Sequence, residues 1–386
     1  MFEPMTRIMR LAALALLAAL TLTPALAWPA VFCVQTSEQL RQAMTTAGSN
    51  GQDDIIRIHS GTYPAPAPQP FIYSSDGAFD LDISGGWSPG FDATPCVYND
   101  GEPGDTLLDG EGNRLVMSIQ GQAGEAGEVR VQNLTIASAL ASPSSGALSI
   151  TGPASGFGGE ILVDRVKFSG NQGPAGGSAI RITGGNKVTV RNSIFAFNST
   201  GNGQGVVFAS MSASDQGFYF INNSLTYSFH DVSSPSATTT SGLHVNLNND
   251  GTSQSRAYIA NNLFWANETD DTWLGGVGTT YVYNNNFFFD PPASDFSDGN
   301  MSVDPQLVQI GVDFTPAAGS PLIDQGRSQP TPPFPVPRPF ELDWSYGLQD
   351  FDGGGTTSRL EGANVDIGAV ESPFKPDGLF QDRFEP

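Results

Sequence analysis

Seven side chains between residues 230 and 273 carry the chemistry of a sugar site. His230, Asp231 and His244 lie in the longest interval of this chain's repeat, about Thr226 to Arg256, with Trp265, Asp270, Asp271 and Trp273 close behind. Indole faces stack on sugar CH groups, carboxylates accept hydroxyl protons, and an imidazole moves a proton near neutral pH. His230, Asp231, His244 and Asp271 are therefore the candidates for catalysis, and Trp265, Asp270 and Trp273 for ligand contact. The two histidines stand 14 residues apart, which matches no dedicated zinc spacing. Asp350 and Asp352 precede a Gly-Gly-Gly bend and resemble the start of a calcium loop. A third alternating ligand and the downstream Glu of an EF-hand are missing, so Ca2+ is the single cofactor to test.

A scaffold must position such groups, and it is written as a repeat. Six segments share one phrase: Val129–Ile136, Ile161–Phe168, Val188–Phe195, Phe218–Leu225, Ala257–Phe264 and Tyr281–Phe288. Their fifth residues are Asn133, Arg165, Asn192, Asn222, Asn261 and Asn285, spaced 32, 27, 30, 39 and 24 residues apart. That period signals a solenoid. A second short strand precedes most copies: Val116–Ile119, Leu148–Ile150, Ile180–Ile182, Val206–Phe208 and Leu243–Val245. Alternation of period two and short links exclude helical crossovers, leaving a coil in which each turn pairs in parallel with the next. Val131, Val163, Val190, Phe220, Ile259 and Tyr283 are then expected in one inward column. Ile136, Phe168, Phe195, Leu225, Phe264 and Phe288 are expected in another. Asn tolerates left-handed corners, and its stacked amides bond along a ladder. Asn133, Asn192, Asn222, Asn261 and Asn285 are expected to form that ladder, interrupted by Arg165.

The ends and the composition narrow the class. Arg7 and Arg10 precede the apolar run Leu11–Leu22 and the small-x-small site Ala25-Leu-Ala27, a cleavable export signal. Twelve apolar residues are too few to span a membrane, which takes about 20. Beyond residue 27 the chain holds 15 bases against 38 acids, a net charge of −23. Such a surface repels nucleic acid and anionic lipid, and makes a polyanionic glycan an awkward ligand. Cys33 and Cys96 are the only cysteines; in an oxidising compartment they read as a disulfide. Closing that loop of about 64 residues stabilises by about 4 kcal/mol on loop-closure entropy. Thr36-Ser-Glu-Gln39 opens a short helix over Leu40, Ala43, Met44 and Ala47, expected to cap the coil's first turn.

Over nearly the whole chain after residue 27, these features resemble the right-handed parallel β-helix proteins of the pectin-lyase-like superfamily. Ser84-Gly-Gly-Trp87 and Leu107-Leu-Asp-Gly-Glu-Gly112 resemble the first rungs of exported bacterial members. Asp304-Pro-Gln-Leu307, Ala318–Asp324 and Val365–Glu371 resemble the closing motif of a large exported group with varied surface-sorting signals, a choice-of-anchor type region. The tail Asp377–Glu385 resembles a terminal sequence of exported proteins from some Gram-negative bacteria. The division expected is residues 1–27 signal, 28–110 cap and first rungs, 111–325 β-helix, and 326–386 Pro-rich loop, closing motif and tail.

The superfamily includes polysaccharide lyases and hydrolases, so the resemblance implies both chemistries. Lyases need a base at the C5 proton and a cation on the uronate, whereas hydrolases need two facing carboxylates. Yet the polygalacturonase motifs Asn-Thr-Asp, Gly-x-Asp-Asp, Gly-His-Gly and Arg-Ile-Lys are absent, as is the pectate-lyase Arg-x-Pro-x-x-Arg. The outward positions Gln132, Asp164, Arg191, Ile221, Ala260 and Asn284 repeat no acid or base, and neither do Ser118, Ser149, Arg181, Val207 and His244. Three readings follow: a secreted or surface-bound, non-catalytic monomer presenting loops to a polysaccharide or cell-surface component, an enzyme of the superfamily, and a subunit of a surface assembly.

Overall fold

The computed structural model describes residues 28–90, 95–121, 127–142, 145–152, 157–201, 204–211, 213, 215–230, 240–247, 255–327, 349–351, 359–360 and 362–374. The proposed signal, Asp231, Asp352 and the terminal tail lie outside these residues.

One turn explains the whole coil. Ile180–Thr183 runs into Lys187–Arg191 across a Gly184-Gly185 bend, and Ile194–Ala196 follows around a corner at Asn192. Each of these strands pairs in parallel with its counterpart one turn away. Repetition gives three faces, and the protein is a parallel β-helix. One face is a seven-stranded sheet, labelled here β1 (Phe71–Ser74), β2 (Met117–Gln120), β3 (Leu148–Thr151), β4 (Ile180–Thr183), β5 (Val207–Met211), β6 (Thr240–Leu247) and β7 (Asp270–Gly275). Its strands neighbour one another in chain order.

Parallel pairing brings like positions together, so the interior is built of stacked side chains. Val131, Val163, Val190, Phe220 and Ile259 are register partners in succession, and all are fully buried. Phe168 and Phe195 stack with ring centroids 4.9 Å apart. The last copy of the phrase departs from expectation by one residue. Ile259 pairs with Val282, not Tyr283, and Phe264 stacks on Phe287 at 5.0 Å while Phe288 is 44% exposed. A one-residue slip exchanges the two faces of a strand. Tyr281 and Tyr283 accordingly join Tyr219 and Tyr258 in an aromatic cluster separate from the main core.

The asparagine ladder is also displaced. Asn133, Arg165, Asn192, Asn222 and Asn261 occupy the corners, all with φ between 49° and 59°, and Asn284 takes the next corner at 51°. Side chains in this left-handed conformation do not stack inward; those of the following residues do. The Asn223 side-chain oxygen accepts the Ser193 N–H at 3.0 Å, Asn262 that of Asn223 at 2.9 Å, Asn285 that of Asn262 at 2.9 Å, and Asn300 that of Asn285 at 3.0 Å. Each amide also donates to a strand carbonyl, as Asn223 does to Val190 at 2.9 Å. Of the five residues assigned to the ladder, only Asn285 belongs to it. A second ladder links Asn171 to Asn198 at another corner.

The coil is capped at its amino end and covered along one flank by its carboxyl-terminal segment. At the amino end, helix α1 (Ser37–Ala47) starts where the Thr36 hydroxyl accepts the Gln39 N–H at 3.2 Å. It buries Leu40, Ala43, Met44 and Ala47 in the main core. Cys33 and Cys96 form a disulfide with Cα atoms 5.8 Å apart. Near the carboxyl end a second core gathers Leu263, Leu322, Ile367 and Val370. Fully buried Arg359 holds it, donating to the carbonyls of Asp366 at 2.9 Å, Gly368 at 2.8 Å and Ala369 at 2.9 Å, and pairing with Glu371 at 3.2 Å. Ala369 N–H donates to the Ser224 hydroxyl, tying this segment to the coil.

The two corner positions predict opposite outcomes. Asn223→Ala removes the acceptor of Ser193 N–H and the donor to Val190, and should cost about 3 kcal/mol. Asn222→Gly keeps the left-handed corner and removes a buried amide that has no hydrogen-bond partner among the described residues. It should stay within about 1 kcal/mol of the parent in urea unfolding. Equal losses would mean that both residues belong to one ladder.

Candidate functional site

The outer face of the seven-stranded sheet holds the densest chemistry. Register places Arg181 on β4 beside Phe208 on β5, Phe208 beside His244 on β6, and His244 beside Trp273 on β7. Pairing at one strand spacing makes the rings stack. The Arg181 guanidinium lies 4.2 Å from the Phe208 centroid, Phe208 and His244 are 5.4 Å apart, and His244 and Trp273 4.1 Å apart at 17°. Arg181 also donates to the Gly176 carbonyl at 2.9 Å. Trp273 is half-buried, and its indole covers Gly275, where a Cβ would come within 1.9 Å of the ring.

Stacking sets the charge state of this column. Burial, with the Arg181 charge adding to it, holds the His244 imidazole down at about 4. His244 is therefore an uncharged aromatic spacer at neutral pH. Cation–π contact with Arg181 suits the ring between them, since a guanidinium stacks well on an aromatic face.

The other candidates go elsewhere. Asp271 stands two residues before Trp273, where the register between β6 and β7 shifts, and it is 1% exposed. Its carboxylate accepts the Asn267 amide at 2.7 Å and the Phe288 and Phe289 N–H groups at 2.8 Å each. Burial nevertheless pushes its carboxyl up to about 6. Asp271 thus fastens a turn. Asp270 is exposed at the start of β7 beside Thr240. Trp265 sits on a different sheet, edge-on to Phe288 at 5.0 Å, and packs on the carboxyl-terminal core. His230 is buried in a small three-stranded sheet, and its backbone N–H donates to Glu268 at 2.7 Å. So the structure joins His244 to Trp273 and leaves Trp265 on another sheet and Asp271 buried in its own hydrogen bonds. Arg191 and Asp164 pair at 2.9 Å between adjacent rungs of another sheet. Asp350 is buried and accepts the Glu371 N–H at 2.9 Å. Calcium there would need ligands beyond it; among the described residues no group of three or more His, Cys, Asp or Glu is placed to hold a metal.

Sequence reasoning named Val207 as the outward residue of β5, but Val207 is 1% exposed and Phe208 points out. The signal was weak, because Val206-Val207-Phe208-Ala209 is apolar without alternation.

No protein-family profile matches the chain, and no curated protein matches it. Among solved structures it is similar to a mannuronic acid specific polysaccharide family 6 lyase enzyme from human gut microbiota, with a TM-score of 0.40 and 13% identity over 67% of this chain and 54% of that one. The chain thus spans about half the length of that lyase. No residue role carries over at that identity. Among the described residues no helix is long and apolar enough to cross a membrane.

The two buried titrating groups pull stability in opposite directions. A depressed imidazole makes the folded state lose stability as pH falls from 6.5 toward 4, whereas a raised carboxyl makes it lose stability as pH rises from 3.8 through 6. Each contributes about 3 kcal/mol across its window. Relative to the parent, His244→Phe should therefore gain stability on acidification and Asp271→Asn should lose it, read as unfolding midpoints at pH 4 and pH 7. Parallel curves for parent and variants would show that neither group is shifted.

Proposed function

We propose that the chain is an exported, carbohydrate-binding β-helix that contacts its ligand on the outer face of the seven-stranded sheet. The observation that carries this reading is the Arg181–Phe208–His244–Trp273 column, in which register pairing joins a guanidinium and three rings in one strip, buried at Phe208 and His244 and half-buried at its two ends. Half-buried Trp273 offers apolar surface to sugar CH groups, and half-buried Arg181 offers donors to oxygen.

Binding fits this strip better than turnover. Hydrolysis takes two carboxylates facing one bond, and the carboxylate beside the strip, Asp271, is buried and engaged by three donors. An imidazole held near 4 and sandwiched between rings is poorly placed to exchange protons with a substrate. Export follows from the amino-terminal signal pattern, and the Cys33–Cys96 disulfide suits an oxidising compartment.

The test is a glycan-binding panel on the protein beginning at residue 28. Trp273→Ala should weaken binding about tenfold, near 1.4 kcal/mol, with an unchanged unfolding midpoint. Release of new reducing ends or unsaturated products, abolished by His244→Ala, would replace the binding reading with an enzymatic one. Retention in an outer-membrane fraction, lost on deleting residues 376–386, would place the protein at the cell surface.

A further inference from the structure

A second column runs beside the aromatic one on the same outer face. Ser74, Gln120, Thr151, Thr183, Ser210 and Asn246 follow one another from β1 to β6, with register pairs Ser74–Gln120, Gln120–Thr151, Thr183–Ser210 and Ser210–Asn246. All six are exposed or half-buried. Among the described residues, none of their side chains takes part in a hydrogen bond, although buried neighbours throughout the coil are bonded into ladders. At about 4.8 Å per strand, the row and its neighbour span about 29 Å from β1 to β7. Hydroxyl and amide groups of both donor and acceptor type are thus set out at regular intervals, uncommitted.

The two columns are also nearly free of charge, with the exposed Asp270 standing outside them at the start of β7. On a chain of net charge −22, these two outward columns carry no carboxylate and a single cation, Arg181. That guanidinium is already engaged by the Gly176 carbonyl and the Phe208 ring. A polyanion would gain one partly used cation and meet the repulsion of the remaining surface. A ligand rich in hydroxyls and without charge meets neither obstacle.

Resting on the carbohydrate reading, we infer that the ligand is an uncharged linear polysaccharide lying along the coil axis. Its hydroxyls bond to the Ser74–Asn246 row, and its apolar edge rests on the Trp273 end of the aromatic column. The row sets the preference for neutral sugars, and the aromatic column supplies contact area.

The experiment uses the protein beginning at residue 28 and titrates it with neutral oligosaccharides of glucan, xylan and mannan type and with oligouronates, at low and at high salt. Binding of a neutral series is expected, rising with chain length and changing less than about twofold with salt, since no ion pairs are screened. Thr151→Val with Thr183→Val should lower that affinity about tenfold with an unchanged unfolding midpoint, near 1.4 kcal/mol. Binding confined to oligouronates, weakened by salt and lost in Arg181→Gln, would overturn the neutral-ligand inference and leave the carbohydrate reading intact. A double variant that binds like the parent while Trp273→Ala does not would overturn the role of the hydroxyl row. Binding of neither series would overturn both readings.

Discussion

Everything in this fold depends on parallel pairing between equivalent strands one turn apart. Pairing of that kind leaves no freedom in where a side chain points: its neighbours are the same position in the turns before and after. Apolar positions become continuous columns such as Val131–Val163–Val190, and each turn is buried only by the turns beside it. The polar interior obeys the same constraint. A buried Asn has two donors and an acceptor to satisfy, and the Asn223–Asn262–Asn285 ladder satisfies them by joining backbone N–H, amide and carbonyl between turns.

The constraint shapes the candidate site as well. Aromatic side chains on successive strands of one face must stack, which is why Phe208, His244 and Trp273 form one column, not separate platforms. Stacking removes water from both faces of the imidazole, and desolvation disfavours its charged form. The electrostatic character of the strip thus follows from architecture before any ligand is considered.

The repeat was legible in sequence because its phrase combines two signals, alternation and a corner residue, that recur together. It failed where either signal blurred. In the last copy, Tyr281-Val282-Tyr283 is apolar on both faces and Asn284, Asn285 and Asn286 all suit a corner, so the phrase slid by one residue. The Asn ladder was misplaced for a related reason. Asn222-Asn223 and Asn261-Asn262 are pairs, and only coordinates show that the first member turns the chain while the second bonds between turns. Residue type points to Trp273 and His244, and the repeat sets Arg181 in the column of His244, but Phe208 is missed because the apolar run Val206–Ala209 does not state which residue faces out. Asp271 illustrates the converse: its type suggests catalysis, and burial with three donors on its carboxylate makes it a structural tie.

Arg359 adds a consequence for how the molecule is made. Its guanidinium is wholly enclosed by the final segment, and that segment reaches back to Ser224 across a sequence separation of 145 residues. Until that segment is in place, the flank of the coil that it covers stays open to water. Completion waits for the last stretch to arrive, so truncated products are left with an open seam of Leu263, Leu322 and their neighbours.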